Sequence, residues 1–143
     1  MAFGASSNAM DLGETVIVAG IGCRKGATAA QIEAAINAAL ERAGRPLARI
    51  DLMATAVSKR EEQGIAAAAS ARGVPLTFVH QADLEIASAR GATWSQRVLA
   101  LAGVPSVAEA AALAAAGPKP RLLLPRIVVG PVTCALAVAK EAP

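Results

Sequence analysis

The sequence has very few aromatic residues. They make up 2% of its 143 residues, with no tyrosine, one tryptophan and two phenylalanines. Proteins that bind single-stranded nucleic acid use aromatic side chains as stacking platforms beside a dense basic stripe. The net charge here is only +3, and no such stripe is present. We therefore expect no nucleic-acid partner.

Long hydrophobic runs are also missing. The longest nearly uncharged stretch, from Val98 to Pro118, is interrupted by Pro105 and Glu109, whereas a membrane-spanning helix needs about 20 apolar residues. The apolar stretch Ile127–Ala139 is too short to span and is more typical of strands. The start of the chain lacks a charged and then apolar pattern, so we expect no signal peptide. We expect no membrane partner.

Cysteine and histidine are scarce as well. The two cysteines, Cys23 and Cys134, lie in unlike contexts without C-x-x-C spacing, and there is one histidine. This pattern argues against a zinc site built from cysteine and histidine. Free thiols fit a reducing compartment, so we expect a cytoplasmic protein. We expect neither a metal nor another cofactor.

What the sequence does contain is alanine. Hydrophobic residues make up 55% of the chain, and the many alanines favour helices that pack closely on a sheet. The length is typical of one domain. Residues 1–9 look like the remnant of an expression tag, so we expect the native chain to begin at Met10 and one domain to cover residues 10–143.

The first half of the chain alternates strands and helices. Two capping boxes, Thr28-x-x-Gln31 and Ser58-x-x-Glu61, predict where helices begin, and Gly44 and Gly73 predict where they end. Alternation of this kind favours parallel strands with right-handed crossovers. The predicted strands are Thr15–Gly20, Ile50–Val57 and Leu76–His80.

The second half is less regular. We predict a loop over Gln81–Thr93 that could include one helical turn, and then a short helix over residues 94–102. A third capping box, Ser106-x-x-Glu109, opens an Ala-rich helix that stops at Gly117. The chain ends in two strands, at least one of them antiparallel, over Arg121–Leu124 and Val132–Ala139. The predicted fold class is α/β: a three-layer sandwich with a mixed, mostly parallel sheet and helices on both faces.

Three segments are expected to meet at the carboxyl edge of this sheet, where open α/β sheets bind ligands. They are Gly20–Gly26, Ser58–Glu61 and His80–Gln81. The glycines of the first segment allow a ligand close to the backbone, and a helix N-terminus with free N–H groups follows.

Four cations lie at two predicted helix starts: Arg24 and Lys25 before the first helix, and Lys59 and Arg60 after Ser58. Positive charge at a helix N-terminus opposes the macrodipole by about 0.3–1 kcal/mol per group. This placement suggests a site for carboxylates or phosphates. The alternative is a solvated surface on which neighbouring glutamates partly neutralise the cations.

Two side chains are candidates for chemistry. Cys23 lies near cations that would favour its thiolate, but the favoured interpretation is a small buried residue at a strand end. His80, the one imidazole, could act as a general base or have a structural role. No recognisable set of nucleophile, base and orienting group accompanies them, which favours binding over catalysis.

Three stretches together resemble a known family. They are Gly20-Ile-Gly-Cys-Arg-Lys-Gly26 with the helix after Thr28, then Gly103-Val-Pro-Ser-Val-Ala-Glu-Ala-Ala-Ala-Leu113, and finally Leu122-Leu-Leu-Pro125 followed by Thr133-Cys-Ala-Leu-Ala137. This resembles the CobE family of cobalamin biosynthesis, which is similar to the C-terminal domain of CbiG. The likeness covers nearly all of residues 15–140.

The resemblance implies a role in corrin-ring assembly and a macrocyclic partner rich in carboxylates. The first hypothesis is an accessory protein that binds a corrin or precorrin intermediate. One alternative is an enzyme acting on that macrocycle, such as a lactone hydrolase using His80 or Cys23; another is a scaffold for enzymes of the pathway. The expected ligand-binding residues are Gly22, Cys23, Arg24, Lys25, Gly26, Ser58, Lys59, Arg60, Ser106 and Arg126.

Overall fold

A computed structural model describes residues 15–46, 48–90, 107–117 and 120–140. The predicted tag remnant, the predicted helix over residues 94–102 and Ser106 lie outside these residues. Within them, no helix has the length and apolar character needed to cross a membrane. The elements in chain order are β1 Thr15–Cys23, α1 Ala29–Arg42, β2 Leu52–Ala56, a 3-10 turn Val57–Lys59, α2 Gln63–Arg72, β3 Leu76–Val79, α3 Gln81–Arg90, α4 Val107–Ala116, β4 Pro120–Val129 and β5 Val132–Lys140.

The strands form one five-stranded sheet in the order β3-β2-β1-β5-β4. The β1–β2 and β2–β3 pairs are parallel, with Val18 opposite Leu52 in the first. The β1–β5 and β5–β4 pairs are antiparallel, with Cys23 opposite Val132 in the first. Since β5 alone runs against the others, four of these five strands point the same way. The predicted mixed sheet and the predicted antiparallel strand are confirmed.

Helices cover both faces of the sheet, as predicted. Successive residues of β1 point to opposite faces, so Ile17, Ala19 and Ile21 pack with α1 and α2. Val18 packs on the other face with α3 and the alanines of α4. The buried residues of α4 are mostly alanine, and this small side chain allows the helix to lie close to the sheet. The result is the expected three-layer sandwich.

The first predicted helix is confirmed with its cap. The hydroxyl of Thr28 accepts a hydrogen bond from the Gln31 N–H at 3.1 Å, and the Gln31 side chain accepts one from the Thr28 N–H at 2.9 Å. The helix buries a stripe at helical spacing that includes Ile32, Ile36 and Leu40. It ends near Gly44, which adopts a φ of 76° that favours glycine.

The second predicted capping box, Ser58-x-x-Glu61, is wrong. Residues 57–59 form a 3-10 turn, in which the Arg60 N–H bonds to the Val57 carbonyl at 3.1 Å. The chain turns again before α2 begins at Gln63, so Lys59 and Arg60 precede the helix rather than occupy its first turn. Among the described residues, no side chain caps α2. Its predicted end at Gly73, with a φ of 72°, is confirmed.

The predicted loop after β3 is also wrong, because α3 spans Gln81–Arg90. The His80 carbonyl accepts hydrogen bonds from the N–H groups of Asp83 and Leu84, which starts the helix directly at the strand end. Leu84 and Ala87, spaced at i and i+3, are buried on the face that α4 covers. Strand β4 extends well beyond the predicted Arg121–Leu124 and accommodates Pro125 through shifts in register with β5.

Candidate functional site

A cleft of about 360 Å³ lies at the sheet edge where the parallel strands β1 and β2 end. The start of α4 and the turn between β4 and β5 reach the same edge, because β5 runs against β1. The cleft is therefore built from four stretches of chain that are distant in sequence. Its lining residues are Gly22, Cys23, Arg24, Ala56, Ser58, Lys59, Val107, Val128, Gly130, Pro131, Val132 and Thr133.

The pairing of β1 with β5 forms the centre of the cleft. Gly22 lies opposite Thr133, and the Thr133 hydroxyl donates a hydrogen bond to the Gly22 carbonyl at 3.2 Å. The Arg24 N–H then bonds to the Pro131 carbonyl at 2.9 Å, which extends the pairing past the end of β1. Gly22 has little room for a side chain, since a Cβ there would lie 2.6 Å from the Thr133 hydroxyl oxygen.

The end of β2 brings the 3-10 turn to the cleft. The hydroxyl of Thr55, fully buried, donates to the Ile21 carbonyl at 2.8 Å and ties β2 to β1 just before both strands end. The 3-10 turn follows Ala56 directly, and it places Ser58 and Lys59 among the lining residues. A turn rather than a helix start thus positions Lys59.

The structure separates the four predicted cations into two pairs. Arg24 and Lys59 line the cleft, whereas Lys25 and Arg60, their neighbours in sequence, are exposed and are not among the described lining residues. Gly26 is likewise outside the lining. Arg24 and Lys59 give one side of the cleft a positive charge that would attract an anionic ligand.

The turn after β1 already binds a carboxylate of the protein itself. Oε1 of the half-buried Glu62 accepts a hydrogen bond from the Gly26 N–H at 3.0 Å. This bond connects the turn to the residue before α2. Glu62 therefore occupies the backbone donor of Gly26, a residue that we expected to bind the ligand.

Burial raises the pKa of the Cys23 thiol above its ordinary value. The positive charge of Lys59 opposes that rise, and the negative charge of Glu62 adds to it. The thiol is therefore mostly protonated at neutral pH, in contrast to the thiolate that the nearby cations suggested. Cys134 is fully buried in β5, where burial raises its pKa to about 12.

Two further predicted residues are not among the described lining residues of the cleft. His80 is exposed at the end of β3, and its carbonyl starts α3. Arg126 lies in β4, where its N–H donates to Oε2 of Glu109 at 3.0 Å and its guanidinium lies 3.9 Å from Oε1 of the same residue. Glu109 is buried in α4, so this pair links α4 to β4.

Sequence reasoning missed the apolar side of the cleft. It consists of Val107 at the start of α4 and of Val128, Pro131 and Val132 beside the β4–β5 turn. Val107 is 46% exposed and Val128 is 65% exposed. The sequence does contain a signal for this side of the cleft, because the Gly130-Pro131 dipeptide predicts a turn between two strands. When the strand after that turn is an antiparallel neighbour of β1, the turn lies at the carboxyl end of β1.

Comparison with known proteins gives consistent matches. Residues 17–137 match the family described as "Cobalamin synthesis G C-terminus". The chain is 37% identical over 121 residues to Protein CobE of Sinorhizobium sp, covering 85% of this chain and 79% of that protein.

Solved structures agree with these matches. The crystal structure of cobalamin biosynthesis protein chiG from Agrobacterium tumefaciens superposes with a TM-score of 0.75 at 48% identity, covering 88% of this chain and 100% of that one. The crystal structure of CobE, a protein from the cobalamin (vitamin B12) biosynthetic pathway, superposes with a TM-score of 0.73 at 34% identity, covering 90% and 94%.

Proposed function

Because the chain belongs to the family described as cobalamin synthesis G C-terminus, and is a cobalamin biosynthesis protein of the CobE and CbiG type, we propose that it binds a carboxylate-rich corrin or precorrin intermediate. In this proposal it is an accessory protein that holds the intermediate without transforming it. The observation that carries the proposal is the cleft at the carboxyl edge of the sheet, which has cations on one side and apolar residues on the other.

The two sides of the cleft suit the two parts of such a ligand. A corrin precursor has an apolar ring system and several acetate and propionate arms. Val107, Val128 and Pro131 offer apolar contact to a ring, and burial of apolar surface contributes about 25 cal/mol per Å². Arg24 and Lys59 offer charge-assisted hydrogen bonds to carboxylates, which are about twice as strong as neutral ones.

Holding rather than transforming the ligand is favoured by the state of the candidate reacting groups. The Cys23 thiol lines the cleft, but burial raises its pKa, and the thiolate is the nucleophilic form. His80 is exposed at the end of β3 and is not among the described lining residues of the cleft. Neither group is prepared for attack on a lactone.

The proposal extends to where the protein acts and what it meets. Both described cysteines are free, which fits the reducing cytoplasm. A protein that holds an intermediate must receive it from one enzyme of corrin assembly and release it to another. Enzymes of the pathway are therefore the proposed macromolecular partners, and the anionic macrocycle is the proposed ligand.

The experiment that tests this proposal is a pair of absorbance titrations. The first uses a corrin precursor with free carboxylates, and the second uses its fully esterified analogue. We expect the free acid to bind more tightly, and its affinity to fall as salt rises because exposed charges are screened over about 8–10 Å. Equal affinity for acid and ester would overturn the charge argument.

The same mixture distinguishes holding from catalysis. After incubation with the free acid, the ligand is released by denaturing the protein and compared with the starting material by mass spectrometry. A holding protein returns the ligand unchanged. A ligand that has gained water or lost a two-carbon fragment would show that the protein is a hydrolase.

A further inference from the structure

The lining residues of the cleft follow the order of the strands along the sheet edge. Across the edge the strands lie in the order β2, β1, β5 and β4. The two cations lie at the ends of the first two strands, since Lys59 follows β2 and Arg24 follows β1. The apolar residues lie at the other two strands, since Pro131 precedes β5 and Val128 lies near the end of β4. The cleft is therefore cationic at one end and apolar at the other, with Gly22 and Thr133 between.

The size of the cleft limits what enters it. Four neighbouring strands span three inter-strand spacings, or about 14 Å. A volume of about 360 Å³ along that length leaves a mean cross-section of roughly 25 Å². A cleft of this cross-section is a narrow slot. It also lies near the lower end of the roughly 300–1,000 Å³ that sites for drug-sized ligands occupy, and a tetrapyrrole is larger than such ligands.

We propose that the cleft binds the macrocycle by one edge, taking a single pyrrole-derived ring and its carboxylate arms. The arms meet Arg24 and Lys59, and the ring edge lies against Val128 and Pro131. This inference rests on the proposed function and specifies which part of the ligand the cleft binds. The opposite edge of the macrocycle stays outside the slot, where the next enzyme can engage it.

The edge proposal predicts that a fragment of the ligand is enough for binding. A monopyrrole carrying one acetate and one propionate has the ring and the arms of one edge. We expect it to displace the free-acid corrin precursor from the full chain at millimolar concentration, and its dimethyl ester to fail. The measurement is the recovery of the absorbance of the free corrin during titration with each monopyrrole.

A matched pair of variants shows whether fragment and macrocycle share the slot. Val128→Thr removes an apolar methyl from the proposed ring contact at nearly constant volume. We expect it to weaken both the monopyrrole and the corrin precursor by the same factor, about fourfold. The control is Ile86→Thr on α3, which changes a similarly exposed aliphatic side chain (52% against 65%) that is not among the lining residues. It should leave both affinities unchanged.

The outcomes separate the two proposals. If the corrin acid binds and the monopyrrole diacid does not compete, the edge proposal is wrong and the proposed function stands. The edge proposal is also wrong if Val128→Thr weakens the corrin precursor alone. If the wild-type protein does not bind the corrin acid, the proposed function fails, and the edge proposal fails with it.

Discussion

Replacing Gly20 with alanine should force α4 away from the sheet. Gly20 is buried in β1, and a Cβ there would lie 2.0 Å from the Ala108 carbonyl oxygen and 2.8 Å from the Ala112 Cβ. Atoms in contact need about 3.5 Å, so the helix must retreat by at least roughly 1 Å. The obstacle at Ala108 is backbone and cannot rotate aside.

The expected cost is at the upper end of the range for overpacking, about 3 kcal/mol of unfolding free energy. For a chain of this size, 1 kcal/mol corresponds to about 2–4 °C, so the midpoint of thermal unfolding should fall by about 6–12 °C. The assay is thermal unfolding followed by circular dichroism. Ligand affinity should fall as well, because Val107 at the start of α4 lines the cleft.

The control is Gly22→Ala, where the obstacle is the hydroxyl oxygen of Thr133 at 2.6 Å. A short side chain can adjust more easily than a helix backbone, so this variant should be destabilised less than Gly20→Ala. Adding Thr133→Ala should recover part of the loss in Gly22→Ala, because it removes the obstacle. A Gly20→Ala protein that melts with the wild type would refute the close approach of α4 to β1.

Two further predictions concern caps and the thiol. Thr28→Ala should lower the free energy of unfolding in urea by about 0.5–2 kcal/mol, because it removes the cap of α1. Ser58→Ala should change that free energy by less than about 0.5 kcal/mol, because the described structure has no side-chain cap bond at this turn. Alkylation of Cys23 should show a pKa above that of an ordinary thiol, because burial raises it. Lys59→Gln should raise the pKa of Cys23 further, and Glu62→Gln should lower it. The measurement is the pH profile of the alkylation rate in each variant. A shift in the opposite direction in either variant would contradict the described positions of these charges.

The parts of the fold that were predictable from sequence are those fixed by local signals. Thr28 and Gln31 bond to each other within one turn of helix, and their pattern is visible in the sequence. Gly73 takes the left-handed conformation that ends α2, and glycine is the residue expected there. The apolar β-branched run of β1 needs no knowledge of its neighbours to be recognised as a strand.

The errors occurred where tertiary contacts overrode a local pattern. Ser58-x-x-Glu61 has the spacing of a capping box, yet Glu62 instead bonds to the Gly26 N–H, 36 residues earlier in the chain. A Cβ at Gly64 would lie 2.1 Å from the Ala27 carbonyl oxygen, so α2 packs directly against the turn after β1. Contacts between such distant residues cannot be read from a short motif.

Only the cationic side of the candidate site was predictable from sequence, because the apolar side depends on contacts between distant parts of the chain. Arg24 and Lys59 were proposed from the rule that ligands bind at the carboxyl ends of parallel strands, and the structure brings both to one cleft. The apolar half depends on β5 lying next to β1 in the opposite direction, which the sequence did not specify. Arg126 was assigned to the site from the family pattern, but Glu109 holds it in a link between β4 and α4.

The central claim is that the cations lining the cleft bind the carboxylates of a corrin precursor. Its most direct test measures the affinity of the free acid for two matched pairs of variants: Lys59→Gln against Arg60→Gln, and Arg24→Gln against Lys25→Gln. We predict losses of about five- to tenfold for Lys59→Gln and Arg24→Gln, and less than about twofold for the two neighbours at physiological salt. Equal losses within each pair, or no loss in any variant, would contradict the account and place the anion site elsewhere.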